Sequence, residues 1–292
     1  MKNQGNESRN ERRLNYLIAG GTAGMVARTC VAPVERIKII YQVKKGKANY
    51  LDIAPQIFRS QGPLAFWKGN GAAVVRVIPF MSITFTVYEE AKQYLTPYNF
   101  SDNSTNVLSG SVAGFFGVAC TYPLDVVRAR LALQLEGMVQ TSYTGVSDAL
   151  VSIARQEGVL ALYKGMGTTL IGAVPYQGLK FGAYEVMKKF LRSALDVEEE
   201  DLSATMRVGS GAFAGLCAQT LVYPFDVIRR RNQAHTGKGS RYKSPVDGFR
   251  TIAREEGIKK GLYRGLTLNF LKSIPNVAIY MSLFDYIKMK MF

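Results

Sequence analysis

Pro33-Val34-Glu35-Arg36-Ile37-Lys38 closes the first apolar segment of the chain, and two similar stretches follow at residues 123–128 and 224–229. Each stretch has the order proline, any residue, acid, two residues, base. The three prolines lie 90 and 101 residues apart, so the 292 residues divide into three units of about 100 residues. Because internal repeats outrank local propensity, the sequence predicts one body with pseudo-threefold symmetry.

A second landmark follows each proline motif. A glycine ends the pairs 61–62, 157–158 and 256–257, and an aromatic residue, a base and a glycine then occupy 67–69, 163–165 and 263–265. Three copies of both landmarks in register resemble the mitochondrial carrier family of solute transporters, and the resemblance covers residues 14–291. The first repeat departs from the pattern, because Gln61 replaces an acid and Ile40 replaces a base that is present as Arg130 and Arg231.

Six amphipathic stretches are long enough to cross a bilayer, although no run of 18 consecutive apolar residues occurs. They are residues 14–43, 70–96, 104–134, 166–193, 203–234 and 266–291. Prolines inside such helices favour a membrane, where neighbours satisfy the backbone groups that proline releases. Glycines four residues apart predict close helix contacts in the odd-numbered spans, at Gly20 and Gly24, Gly110 and Gly114, and Gly211 and Gly215.

The predicted fold is therefore an all-α membrane protein with six transmembrane helices in three tandem repeats. A polar N-terminal tail covers residues 1–13, and the repeats cover residues 14–98, 99–197 and 198–292. Short amphipathic segments near 52–60, 146–156 and 245–255 predict matrix surface helices. A soluble helical solenoid is the alternative, but its repeats are typically about 20 to 50 residues long.

The proline motifs predict a ring of ion pairs where three kinked helices converge. The acid of one motif would reach the base of the next, giving the pairs Glu35 with Arg128, Asp125 with Arg229, and Asp226 with Lys38. This ring would close the matrix side. The resemblance implies that Gln42 and Gln233 brace the ring, whereas Ala132 at the equivalent place cannot.

A further motif of aromatic residue, acid, two residues and lysine recurs near the ends of the even-numbered spans. Its charged residues are Glu89, Lys92, Glu185, Lys188, Asp285 and Lys288. One copy would be an ordinary surface pair worth about 0.2–0.5 kcal/mol. Three copies, at the opposite end from the proline motifs, predict a cytosolic gate. Solvated ion pairs contribute only about 0–1 kcal/mol, so differential substrate binding can shift the balance between two such gates.

Substrate contacts are expected where the threefold symmetry fails, because a gate can be symmetric whereas a metabolite is not. Four cations lie inside the spans at positions where the three repeats differ: Arg28, Arg76, Lys180 and Lys272. Arg76 and Lys272 share one such position, at which the second repeat has Gly172. Each would cost roughly 2.5–3.5 kcal/mol at the centre of a bilayer, so we expect them to line a watery cavity. Lys180, nearest a helix end, could instead snorkel to the interface. Uncompensated cations of this kind suit phosphate oxygens and predict a polyanionic substrate.

The resemblance narrows the substrate. It implies that Arg76, the pair Gly172 and Ala173, and Lys272 are the three contact points, and that Gly172 leaves a slot for an adenine ring. Arg28 also matches a basic position of adenine-nucleotide carriers. The segments around Pro33 and Pro175 look most similar to carriers of coenzyme A and of ATP-Mg/phosphate. We therefore expect an antiporter of coenzyme A against an adenine nucleotide, with ADP/ATP, ATP-Mg/phosphate, adenosine phosphosulfate and thiamine pyrophosphate as alternatives.

Other functions find less support. The chain has a single histidine, His235, and its three cysteines lack metal-ligand spacing, so we expect no enzyme, no cofactor and no metal site. The net charge of +15 fits anionic lipid better than nucleic acid. Cardiolipin would bind at the three base-glycine helix starts. We expect a monomer in the mitochondrial inner membrane; the alternative from another class is a structural membrane protein that transports nothing.

Overall fold

The computed structural model describes residues 2–44, 46, 49–98, 101–135, 142–195, 203–237 and 239–291. These residues form helices joined by short connections and contain no strand. The helices are α1 (Lys2–Val43), α2 (Tyr50–Gln61), α3 (Asn70–Val75), α4 (Val77–Leu95), α5 (Asp102–Ala132), α6 (Val146–Glu157), α7 (Met166–Leu195), α8 (Ala204–Ala234), α9 (Pro245–Glu256) and α10 (Leu266–Met291). This confirms the predicted all-α architecture. The six predicted spans correspond to α1, α3 with α4, α5, α7, α8 and α10.

The short helices α2, α6 and α9 lie where amphipathic surface helices were predicted. The side chain of Asn49 caps α2 by accepting a hydrogen bond from the Leu51 amide, and Ser244 caps α9 in the same way. Each helix ends at a glycine with φ of +80° to +90°, a conformation that favours glycine. Their buried faces carry the isoleucines Ile53, Ile57, Ile153 and Ile252, all at most 1% exposed.

Outside the spans, the carboxylate of Asp148 in α6 fixes the turn that enters this helix. It accepts hydrogen bonds from the amide and hydroxyl of Thr144 and from the hydroxyl of Ser152. These bonds, above all the one from the Thr144 amide, hold the pKa of Asp148 below its ordinary value.

Two boundaries differ from the prediction. Helix α1 begins at Lys2, whereas the first span was predicted to begin at residue 14. The polar tail at residues 1–13 stays a prediction. The second predicted span is interrupted at Arg76, between α3 and α4. Pro79 contributes to the break, because a proline has no N–H to donate to the carbonyl four residues earlier, at Val75.

Three helical segments are long and apolar enough to cross a membrane: Pro63–Tyr98, Ser104–Ala132 and Gly209–Ala234. The other predicted spans, α1, α7 and α10, do not meet this measure over the described residues. Each of these three helices holds one of the predicted cavity cations, Arg28, Lys180 or Lys272, which lowers its mean hydropathy.

The described chain forms two compact units. Unit 1 holds the first repeat, the second repeat as far as Tyr163, and α10 from Thr267 onward. Unit 2 holds Lys164–His235 and Gly239–Leu266. The first two proline motifs and Lys272 therefore belong to unit 1, and the third proline motif belongs to unit 2 with α7 and α8.

The glycine pairs differ in what they contact. A Cβ at Gly20 would lie 3.6 Å from both Met81 and Tyr280, so this glycine allows helix contact as predicted. At Gly110, Gly114, Gly211 and Gly215 no described atom lies within 4 Å of such a Cβ, so the prediction of close packing is wrong there. The tight contact in α5 is instead at Gly117, where a Cβ would lie 2.3 Å from the Thr84 hydroxyl and 3.2 Å from the Phe80 ring.

The two residues by which the first repeat departs from the motif, Ile40 and Gln61, stand at positions that form an ion pair in the other repeats. In the second repeat Arg130 makes a bidentate ion pair with Glu157, with Nη2 2.9 Å from Oε2. Arg231 and Glu256 form the same pair in the third repeat, with a second contact of 2.8 Å. The first repeat lacks both charges, because Ile40 and Gln61 stand at these two positions.

We expect Glu157→Gln to lower the free energy of unfolding by about 3–5 kcal/mol, because it removes the negative charge beside the buried Arg130. The double variant Arg130→Ile with Glu157→Gln copies the first repeat and removes both charges, so it should lose less. Denaturant unfolding of the purified protein in detergent compares the two variants. A larger loss in the double variant would contradict the ion-pair explanation.

In the first repeat, Arg36 contacts Gln61, in place of the ion pair of the other two repeats. Its Nε donates to the carbonyl of Ala132 at 3.0 Å, and its Nη2 donates to Gln61 Oε1 and to the Gln134 carbonyl, each at 2.9 Å. Nη1 donates to the carbonyl of Ala65. Only 2% of Arg36 is exposed. A single arginine thus joins α1 to the end of α5, in the next repeat.

Candidate functional site

Two proline-motif charges and one predicted substrate cation meet in unit 1. Arg128 Nη2 lies 3.6 Å from Glu35 Oε1, which is the contact predicted between the first two motifs. The other oxygen of Glu35 accepts a hydrogen bond from Lys272 Nζ. The Glu35 side chain is 6% exposed, whereas those of Arg128 and Lys272 are about one-fifth exposed. The carboxylate is therefore buried beneath two cations that solvent reaches.

The second predicted cation, Arg76, is held by α5. Its Nη1 lies 3.0 Å from Asp125 Oδ1, and its Nε donates to the Thr121 hydroxyl at 3.0 Å. The guanidinium also stacks over the Phe80 ring, 5.0 Å from the ring centroid. The position of Arg76 at the junction of α3 and α4 brings its side chain against the proline motif of the second repeat.

These contacts correct one expectation. The cations were predicted to be uncompensated, but Arg76 pairs with Asp125 and Lys272 pairs with Glu35. The acids that hold them are those of the predicted matrix ring. The repeats alone predict that each acid pairs with the base of another motif, and they do not identify the asymmetric cations as partners.

Two further polar contacts lie in the same unit. Lys38 Nζ donates to Asn269 Oδ1 at 2.8 Å, and both residues are buried. Lys38 is one turn beyond Glu35 on α1, and Asn269 is one turn before Lys272 on α10, so the two helices are joined twice. Arg28 Nη1 donates to the carbonyl of Ala73 at 3.4 Å.

In unit 2, Gly172 packs against the third proline motif. A Cβ at Gly172 would lie 3.2 Å from Cβ of Phe225, so in this structure a phenylalanine side chain occupies the space beside the glycine. Ala173 and Lys180, on the same helix, are exposed. Arg230 donates to Gln233 at 3.1 Å and lies 3.9 Å from Asp226 of the same helix.

The remaining matrix-ring predictions stay predictions. The pairs Asp125 with Arg229 and Asp226 with Lys38 each take one residue from each unit. Gln42 in α1 and Gln233 in α8 are both fully buried, at the positions predicted for braces.

The lysines of the predicted cytosolic gate lie over tyrosine rings. Lys188 Nζ lies 3.1 Å from Glu185 of its own motif and 5.2 Å from the ring centroid of Tyr184. Lys92 lies over the Tyr88 ring and Lys288 over the Tyr16 ring, at 5.9 and 5.7 Å. Asp285 is exposed and Glu89 half-buried. The gate function of these six residues is untested by this geometry.

Two residues of the site were not predicted, although the sequence holds a signal for each. Thr121 lies two residues before its motif proline, where the other repeats have Val31 and Val222. Asn269 lies four residues beyond its base-glycine motif, where the other repeats have Ala73 and Thr169. Both break the threefold symmetry, as Arg76 and Lys272 do, but neither carries a charge.

The three repeats match a known family model. The model described as mitochondrial carrier protein matches residues 10–99, 101–195 and 200–292. The chain belongs to the mitochondrial carrier family. This confirms the resemblance seen in the motifs, and membership makes the carrier a multi-pass protein of the mitochondrial inner membrane.

Individual relatives are similar over nearly the whole carrier. The mitochondrial carrier protein CoAc1 of Arabidopsis thaliana is 38% identical, over 93% of this chain and 88% of its own length. The mitochondrial coenzyme A transporter SLC25A42 of Danio rerio is 39% identical, over 93% of this chain and 85% of its own length. The protein of that name from Mus musculus is 38% identical, over 93% and 86%.

Proposed function

We propose that the carrier moves coenzyme A across the mitochondrial inner membrane in exchange for an adenine nucleotide. The observation that carries this proposal is the similarity to proteins named coenzyme A transporters, which extends over 93% of the chain. Transport requires no bond to be made or broken, so we also propose that the carrier is not an enzyme.

The chemistry of unit 1 supports an anionic substrate. The described residues around the carboxylates of Glu35 and Asp125 include the cations Arg28, Lys38, Arg76, Arg128 and Lys272. Coenzyme A and adenine nucleotides carry several phosphate charges, which arginine and lysine bind through charge-assisted hydrogen bonds. We propose Arg28, Arg76, Gly172, Ala173, Lys180 and Lys272 as the residues that contact the substrate.

Because Arg76 and Lys272 are already paired, a phosphate must compete with carboxylates for them. A phosphate that takes Lys272 from Glu35 removes one of the two contacts between α1 and α10. A phosphate that takes Arg76 from Asp125 frees an acid of the second motif. Substrate binding would thus loosen the matrix gate, which is the linkage that alternating access requires.

Exchange in liposomes tests this proposal. Purified carrier is reconstituted, the vesicles are loaded in turn with coenzyme A, ADP, ATP, adenosine phosphosulfate and thiamine pyrophosphate, and uptake of radiolabelled coenzyme A and ADP is followed. We expect the fastest exchange for external coenzyme A against internal adenine nucleotide. Dephospho-coenzyme A, which lacks the 3′-phosphate, is the matched probe for the cationic site and should exchange more slowly.

Other outcomes change the assignment in defined ways. Exchange of ATP, ADP, adenosine phosphosulfate or thiamine pyrophosphate without exchange of coenzyme A would keep the mechanism and replace the substrate. Exchange of none of them would favour the structural membrane protein. Empty liposomes and liposomes with heat-inactivated carrier give the background.

We also propose that the carrier is a monomer that binds cardiolipin. The glycines of the three base-glycine motifs, Gly69, Gly165 and Gly265, have φ of +86° to +88° and precede helices, which leaves amide groups for a headgroup phosphate. Lys68 is exposed, whereas Lys164 donates to the His235 carbonyl. Native mass spectrometry from detergent measures both properties: one chain with retained cardiolipin is expected, and a dimer or exchange of cardiolipin for any lipid would contradict the proposal.

A further inference from the structure

Thr121 makes two hydrogen bonds that together orient Arg76. Its hydroxyl donates to the carbonyl of Gly117, one turn earlier on α5, at 2.6 Å. The single hydroxyl proton is then committed, so the oxygen faces Arg76 as an acceptor, and it receives the Nε proton at 3.0 Å. Thr121 is only 2% exposed, so water does not replace this bond easily.

The bond to Nε fixes the plane of the guanidinium. Arginine presents its donors in a rigid fork, so one anchored N–H determines the direction of the others. With Nε held by Thr121, Nη1 points to Asp125 at 3.0 Å. Without this acceptor, the guanidinium can turn and present a two-pronged face to Asp125, which would strengthen the pair that a substrate phosphate has to displace.

Threonine occurs at the repeat position of Thr121 only in the second repeat, which fits a role at Arg76 rather than a general role in helix packing. The equivalent residues are Val31 and Val222, which have the shape of threonine but cannot accept a hydrogen bond. Helix packing at this level therefore does not need a hydroxyl. The hydroxyl occurs in the repeat whose α5 contacts the arginine.

We propose that Thr121 is a positioning residue that keeps Arg76 available to the anionic substrate. The inference rests on the proposed function, because the substrate is taken to bind at Arg76. Thr121 acts through Arg76 and needs no contact with the substrate itself.

Thr121→Val tests this role because valine keeps the shape and removes only the acceptor. We expect the apparent KM for coenzyme A exchange to rise about tenfold, while the maximum rate changes by less than about twofold. Thr121→Ser should restore the KM. In an Arg76→Lys carrier, which has no Nε donor at this place, Thr121→Val should cause no further change.

Thr105→Val is the matched control, since Thr105 is a buried threonine on the same helix near its start. It should leave the KM unchanged. An unchanged KM in Thr121→Val, or equal effects of Thr121→Val in the wild-type and Arg76→Lys carriers, would overturn the proposal.

A second measurement separates this inference from the proposed function. Thermal unfolding without substrate is measured for Thr121→Val, Arg76→Gln and the double variant. Non-additive shifts of the midpoint would support positioning even if the wild-type carrier does not exchange coenzyme A. Additive shifts would overturn it whatever the substrate.

Discussion

Lys272→Ala is expected to abolish most coenzyme A exchange while the protein still inserts into the membrane. A hydrogen bond to a charged group contributes about 1.5–3 kcal/mol, which corresponds to roughly a 10- to 150-fold loss of affinity when it is removed. Lys272 also holds Glu35, so its loss removes one link between α1 and α10. Exchange in liposomes measures the effect, and stabilisation by added coenzyme A in thermal unfolding separates lost binding from a lost gate.

Lys290→Ala serves as the control for this experiment. It removes the same charge from the same helix, but Lys290 is exposed near the end of α10 and lies over the Tyr286 ring at 5.1 Å. Its exchange should stay within about twofold of the wild type. Equal exchange by Lys272→Ala and Lys290→Ala would show that Lys272 is not part of the substrate site.

Gly69→Ala is expected to damage folding more than a single methyl group usually does. Gly69 has φ of +88°, where a Cβ costs about 1–2 kcal/mol. The added Cβ would also lie 2.7 Å from the carbonyl oxygen of Arg128 and 3.2 Å from the amide of Ala132. Both are backbone atoms of α5, so relief requires the helix itself to move, and overpacking of this kind costs about 1–3 kcal/mol more.

The Gly69→Ala variant should unfold at a lower temperature and should also lose exchange, because its clash displaces the helix segment that carries Arg128. Gly46→Ala is the control for backbone strain alone: φ there is +84°, and no described atom lies within 4 Å of the added Cβ. Thermal unfolding of both variants in detergent gives the comparison. Equal shifts would mean that α5 accommodates the methyl group without cost.

Much of the fold could be predicted because the threefold repeat and the amphipathic pattern of each helix are visible in the sequence. The predicted starts and ends of the short helices lie within two residues of α2, α6 and α9. The break at Arg76 was missed although Pro79 is in the sequence. Pro79 alone does not predict the break, since the equivalent prolines Pro175 and Pro275 lie inside the uninterrupted helices α7 and α10.

The site was predicted less completely, for a physical reason. Symmetry identifies residues that differ between repeats, but it does not show which partner an asymmetric residue takes. Arg76 and Lys272 were recognised as cations, whereas their pairing with Asp125 and Glu35 depends on side-chain geometry across helices. Thr121 and Asn269 carry no charge and therefore gave no electrostatic signal.

The network of Arg36 has a mechanical consequence. Its four hydrogen bonds fasten the matrix end of α1 to Ala132 and Gln134 at the end of α5, and to Gln61 and Ala65 of its own repeat. Gln61 adds a bond of its own to the Gln134 carbonyl, at 2.6 Å. These bonds must break together before α1 can separate from the end of α5. Arg36 therefore makes this junction within unit 1 resist any opening movement.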